Sequence, residues 1–394
     1  MNAIQGVVRG GAVLSVVVGA ASVWAPSSAS SAGAVTQRVN VSSTGAQANG
    51  ASSIEAVTAD GRFVMFASEG TNLVPADTNR RADVFLRDRT NGLTFRVSTG
   101  PGGRQANAPS RGIAISADGR YVSFTSGASN LTRQPDTNRA QDVFVKDRYT
   151  GATERISVPP SGGQFPRSKN GLGTIGMSDD GRWVAFGGIV DGVSRTYLRD
   201  RQTHSTRRIT ANLDDGAIAL SGDGHWLTYL TGSPNSFRFH LRNLSTGKSV
   251  QVPGIPESLS MLETPDAHYV VWESPLGVRR WNRLTGAVTT VVNSVVALPT
   301  GISDDGRWVA FATRDATLVP GDTNRGWDVF LRDTMTGSLD RVDLNIAGLQ
   351  INAGVLYSVL SGDGKVVVFQ SKNPKIVHGD TNRAADIFVR SPVS

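Results

Sequence analysis

Residues 303–338, SDDGRWVAFATRDATLVPGDTNRGWDVFLRDTMTGS, hold the unit from which this chain is built. Ser303-Asp304-Asp305-Gly306 reads as a tight turn, because Ser and Asp bond nearby backbone and Gly adopts φ values that other residues resist. A short apolar strand precedes the turn and an aromatic, Trp308, opens the next strand. A polar insertion follows, then DVFLRD at 328–333 as a third strand running into Thr336-Gly337, a hairpin signal.

The same turn recurs as TADGRF at 58–63, SADGRY at 116–121, SDDGRW at 178–183, SGDGHW at 221–226, TPDAHY at 264–269 and SGDGKV at 361–366. With Ser303 to Trp308 that makes seven units, whose turn aspartates lie between 39 and 62 residues apart. The shorter spacings match one four-stranded blade each, so the sequence predicts an all-β, seven-bladed β-propeller with four antiparallel strands per blade. Phe63, Tyr121, Trp183, Trp226, Tyr269 and Trp308 are expected between neighbouring blades, where large rings fill the space between twisted sheets. The last unit makes only three strands before the chain ends, whereas VTQRVNVSSTG at 35–45 resembles LTFRVSTG at 93–100, a fourth strand. The N-terminal strand is therefore expected to close the last blade and remove its exposed edge.

Residues 1–34 read as a cleaved leader, with Arg9 ahead of an apolar run from Ala12 to Ala25 and an A-x-A site at Ala32-Gly33-Ala34. That run is shorter than the ~20 residues of a membrane span. The expectation is an exported chain, secreted or associated with the periplasm or cell envelope, in which 35–394 form one domain and no span remains. It contains no cysteine, so a hydrophobic core and not disulfides must hold it together. The formal charge of +7 is dispersed and mostly arginine, which favours anionic polymers through long-range attraction but, without a Lys/Arg run, argues against nucleic acid. A monomer is expected.

With S-x-D-G-[RK], an aromatic strand and D-[VI]-[FY]-[LV]-x-[DN] in place, the chain resembles TolB-type propellers with WD-like repeats over about residues 35–394. The resemblance implies the fold and leaves function open, since such repeats serve partner binding, scaffolding and enzyme domains.

Four units carry an insertion with D-T-N-R-x-x-D: Asp77, Asn79 and Asp83; Asp136, Asn138 and Asp142; Asp322, Asn324 and Asp328; and Asp380, Asn382 and Asp386. Oxygen donors at positions 1, 3 and 7 echo calcium loops, although no further carboxylate recurs to complete the ligand set. The same residues also make turns and accept backbone N–H bonds. Two readings stand, calcium or structural turn, and no cofactor is certain. The insertions belong to units 1, 2, 6 and 7, which become one arc when the ring closes. Gln47-x-Asn49, Gln105-x-Asn107 and Gln350-x-Asn352 lie in connections on the same rim and are expected to brace these loops.

His204, His225, His240, His268 and His378 are scattered without metal-ligand spacing, and no G-x-S-x-G occurs. The resemblance admits metal-dependent lyases that gather histidines from several blades, but here units 1, 2 and 6 supply none. Asp179-Asp180, Asp214-Asp215 and Asp304-Asp305 read as turn residues. The functional expectation is a non-catalytic exported module or scaffold that binds a protein or an anionic envelope polymer on the D-T-N face. The alternative is a carbohydrate-active enzyme, a lyase or hydrolase, with its site at the channel mouth.

Overall fold

The computed structural model describes residues 34–391 except 135, 166–173, 191–192, 210–216, 233–236, 255–259, 295, 353 and 356. The leader cleavage site and the Asp214-Asp215 pair fall outside the described residues.

The described strands form seven separate four-stranded antiparallel sheets, so each repeat unit is a blade. Blade 1 is β2 (Ser52–Val57), β3 (Phe63–Ser68), β4 (Asp83–Asp88) and β5 (Leu93–Arg96); blade 2 is β6 (Ser110–Ile115), β7 (Tyr121–Ser126), β8 (Asp142–Asp147) and β9 (Thr153–Arg155). The first strands of neighbouring blades pack side by side around the central axis, as β2 does between β6 and β26. Strands in the middle of a blade are covered on both faces by adjacent blades, so β3 and β8 are buried along their whole length, the polar Asp142, Lys146 and Asp147 of β8 included.

Blade 7 joins both ends of the chain. It consists of β26 (Ser358–Leu360), β27 (Val367–Ser371), β28 (Asp386–Ser391) and β1 (Val35–Arg38). β1 runs antiparallel to β28, with Val35 opposite Ser391 and Arg38 opposite Phe388, so the N-terminal strand closes the ring as expected.

Blades are keyed together at the S-x-D-G turns. The turn glycine of one blade receives the aromatic of the blade before it: Gly119 lies on Phe63, Gly181 on Tyr121, Gly224 on Trp183 and Gly364 on Trp308, each glycine at positive φ. A methyl group at any of these positions would penetrate the ring, so the glycines are needed for space as well as for backbone conformation. The expected inter-blade wedge is therefore present. The rings are capped outside by guanidiniums, as where Arg148 covers Phe63 and Arg201 covers Tyr121. Gly181→Ala should cost about 2–4 kcal/mol, from left-handed strain plus overpacking. Blade 5 has Ala267 at this position with φ 52, and Ala267→Gly should raise stability; chemical denaturation of both variants checks the pair.

A second key closes blades 1, 2, 3 and 6 on themselves. The arginine after the turn grips the aspartate that ends the third strand, with two bonds in Arg62–Asp88 (3.1 and 2.8 Å) and Arg307–Asp333 (3.0 and 2.6 Å). Arg182 and Asp200 repeat it, and this grip helps hold Asp200 down at about 2. In blade 5 both partners change together, and His268 contacts Asn282 at 3.1 Å.

Candidate functional site

The four D-T-N insertions link the second and third strands of blades 1, 2, 6 and 7, and each is organised around a buried arginine from the blade's outermost strand. Arg96 Nη2 lies 2.9 Å from Asp77 and its Nε 3.4 Å from Asp83. Arg155 is 3.7 Å from Asp136 and 3.2 Å from Asp142, Arg341 is 2.8 Å from Asp322 and 3.9 Å from Asp328, and Arg38 is 3.4 Å from Asp380 and 3.1 Å from Asp386. These four arginine side chains are only 7 to 9% exposed. Nε of all four, and Nη2 of Arg38, Arg96 and Arg341, make no well-formed hydrogen bond, so the attraction is mainly Coulombic between groups held in contact.

The asparagine ties each cage to the next blade. Asn79 Nδ2 donates to Asp83 at 2.8 Å and to the Ala106 carbonyl at 3.1 Å; Asn138, Asn324 and Asn382 donate in the same way to Asp142 and Phe165, to Asp328 and Ile351, and to Asp386 and Ala48. Gln105 Oε1 accepts from the backbone of Thr78 and Asn79, and its amide donates to the Ala76 carbonyl. Gln47 serves Thr381, Gln350 serves Thr323, and Gln164 serves Thr137 and Asn138.

The brace read from the sequence therefore exists, but it crosses the blade boundary. Each glutamine holds the loop of the preceding blade, while Asn49 and Asn107 hold their own blade's loop, at Thr71 and Ser129. The fourth brace, Gln164, lacks the Q-x-N pattern and was missed. The caging arginines were missed as well, although they recur as the Arg of QRVNV, FRVST, ERISV and DRVDL.

The last aspartate of each motif has one further partner. Ser98 donates to Asp83 at 2.6 Å, Ser157 to Asp142 at 2.7 Å and Asn40 to Asp386 at 2.6 Å. Blade 6 places a carboxyl there instead: Asp343 is fully buried beside Asp328, and burial together with that neighbour pushes it well above the usual carboxylate range. A group raised in this way holds its proton in the fold and loses it when unfolded. Its ionisation thus opposes folding as pH rises from about 4 through the folded pKa. Asp343→Asn, the residue blade 7 uses at Asn40, should raise the melting temperature at pH 8 by several degrees, with the gain vanishing near pH 4. Thermal melts across that range test it.

A second cluster lies at the opposite rim, where the S-x-D-G turns are chained around the axis by backbone bonds such as Asp179 N to Gly222 O and Asp304 N to Gly362 O. Asp180 and Asp305 do the turn's work, accepting from Ser178 and Ser303. The carboxylates of Asp179 and Asp304 lie instead against Gly222 and Gly362, in the turns of the following blades. Blades 3 and 6 are not neighbours, yet Asp304 helps push Asp179 up to about 6, after burial as the larger cause. Both members of the Asp179-Asp180 and Asp304-Asp305 pairs thus lie in the turns, one bonding through its carboxylate and the other through its backbone.

Among the described residues no group of three or more His, Cys, Asp or Glu side chains could hold a metal ion. His240 stacks on Tyr229 and His268 on Tyr269, while His204, His225 and His378 are exposed at separate places on the ring. No described helix is long and apolar enough to cross a membrane.

No family model and no curated protein matches the sequence. Solved structures do. An oligogalacturonate lyase in complex with manganese is similar at 13% identity and a TM-score of 0.52, over 92% of this chain and 90% of that one. The oligogalacturonate lyase of Vibrio parahaemolyticus is similar at 14% identity and a TM-score of 0.55, covering 86% and 88%. The β-propeller domain of the Trilobed protease from Pyrococcus furiosus gives 10% identity and 0.55, covering 87% and 98%. The scattered histidines of this chain do not form a manganese site. At these identities the likeness shows the fold, and the chain is a seven-bladed β-propeller closed by its own N-terminal strand.

Proposed function

We propose that the chain is an exported, non-catalytic binding module or scaffold for a protein or an anionic cell-envelope polymer, and that the D-T-N face is its binding surface. One observation carries the reading: each of the four insertions, on consecutive blades, is bonded through its Thr-Asn pair to the connection that leads into the next blade, so the loops are held to the ring and to their neighbours' connections by side-chain bonds. In this reading the guanidinium in each cage supplies the positive charge that a calcium ion would bring, so the loops order without metal.

A second reading rests on Asp179, whose raised pKa suits a general acid at the channel mouth, with the Asp304 carboxyl as a second acidic group. It makes the protein a carbohydrate-active enzyme. Two measurements separate them. Incubation with a polyuronate, with and without manganese, should release no unsaturated or reducing ends, and hydrogen-exchange protection by bound polymer should fall on residues 71–82, 129–141, 315–327 and 373–385. Turnover that Asp179→Asn abolishes would replace the binding reading with the enzymatic one.

A further inference from the structure

Each constant residue of D-T-N-R-x-x-D except one has an assigned partner inside the chain. The two aspartates face the caging arginine, the asparagine bonds the last aspartate and the next blade, and the threonine backbone bonds the bracing glutamine. The arginine does none of this. Arg80, Arg139, Arg325 and Arg383 are exposed, and among the described residues none of their side chains has a hydrogen bond or ion pair within the chain. All four also sit in the left-handed region, at φ 53, 54, 54 and 56.

That conformation is one that glycine or asparagine adopts more cheaply. At the other left-handed position of these loops the residue changes, Ala76 in blade 1 and Gly321 and Gly379 in blades 6 and 7, whereas the arginine does not. The flanking residues have diverged freely, from Arg81-Ala82 to Ala140-Gln141, Gly326-Trp327 and Ala384-Ala385. An arginine held four times in a conformation it disfavours, without an internal partner, points outward for its role.

The surroundings reinforce the charge. Arg81, Arg133, Lys372 and Lys375 are exposed on the same loops, against one exposed carboxylate, Glu69. A cavity of about 540 Å³ opens between Asn345–Ala347 and Pro374–Asp380, with Lys375 and His378 in its lining.

We infer that these four arginines form a row of anion contacts, one per blade along the arc 6-7-1-2, for a linear polymer that carries carboxylate or phosphate groups at regular intervals. This inference rests on the D-T-N face being the binding surface. A guanidinium pairs with either anion through two parallel N–H bonds, and four sites on one frame can engage several charges of one strand at once. The chemistry shared by a polyuronate and a polyphosphate is a strand of fixed negative charges, and the two are the probes.

The test compares the full chain with the quadruple variant Arg80→Asn, Arg139→Asn, Arg325→Asn and Arg383→Asn, titrated with alginate and separately with inorganic polyphosphate over a range of salt. Asparagine suits the left-handed position, so the variant should melt at the same temperature or higher. Its affinity for at least one polymer should nonetheless fall by about tenfold or more, with a shallower dependence on salt. The alginate and polyphosphate arms tell which anion is preferred. Arg80→Asn with Arg383→Asn should weaken binding more than Lys248→Asn with Lys365→Asn, which removes equal charge from the other rim. Equal affinity of variant and parent, or equal loss in the two double variants, would overturn the row. If protection still maps to the D-T-N loops in that case, the binding face stands and only the arginine assignment fails; binding to neither polymer overturns the assignment of the ligand.

Discussion

Deleting residues 35–42 is expected to cost about 5 kcal/mol or more, a loss comparable with the whole stability of many domains. The deletion removes β1 and leaves the edge of β28 open. It also removes Val39, 2% exposed in a cluster with Val64, Phe66, Ile387 and Val389, for which burial contributes about 2 kcal/mol. Arg38 leaves the blade 7 cage, so Asp380 and Asp386 lose their counter-charge, at about 3–5 kcal/mol. Asn40, whose side chain bonds Ser52, Asp386 and the Ile387 amide, goes with them. Circular dichroism and thermal melting of the truncated chain measure the outcome. A folded product melting within a few degrees of the parent would show that the ring does not depend on closure.

The second large effect is expected from Arg96→Met. Methionine keeps much of the volume but leaves Asp77 and Asp83 buried side by side without a cation, and breaking such a pair costs about 3–5 kcal/mol. Burial already pushes Asp83 above the usual carboxylate range, with Ser98, Asn79 and Arg96 opposing it, so removing the guanidinium raises it further. Adding Asp77→Asn and Asp83→Asn should recover most of the loss, because the desolvated charges disappear together. Calcium separates the two readings of these loops. The parent protein should melt at one temperature with calcium or chelator, whereas Arg96→Met, with an emptied cage, should gain stability from calcium. Saturable calcium binding to the parent with a rise in melting temperature would make the loops metal sites and end the guanidinium reading.

Much of the architecture was legible because it is repetitive. Seven turns of the form [ST]-x-D-[GA], six of them followed by an aromatic, state blade number and blade boundaries directly, and the likeness of 35–45 to 93–100 states the closure. Local chemistry made this possible: a turn needs Ser, Asp and Gly at adjacent positions, and a packed blade needs its ring at a set distance from that turn. The D-T-N loops were legible as sites for the same reason, since their residues are close in sequence.

What they contact was not legible. Asp77 and Arg96 are far enough apart in sequence that only the hairpin between them brings them together, and Gln47 reaches Thr381 only because the ring closes. Asp304 acts on Asp179 from a blade that is not its neighbour, a proximity that exists only in the assembled ring. The left-handed backbone of Arg80, Arg139, Arg325 and Arg383 is likewise invisible in a string of letters, since arginine is an unusual choice there. The sequence by itself determined the number of blades, the closing strand and the four-blade arc, because each follows from short-range pattern. The tertiary structure alone decided which charges are neutralised inside the loops and which are left to face solvent, because pairing depends on distances between residues that the chain separates and the fold joins.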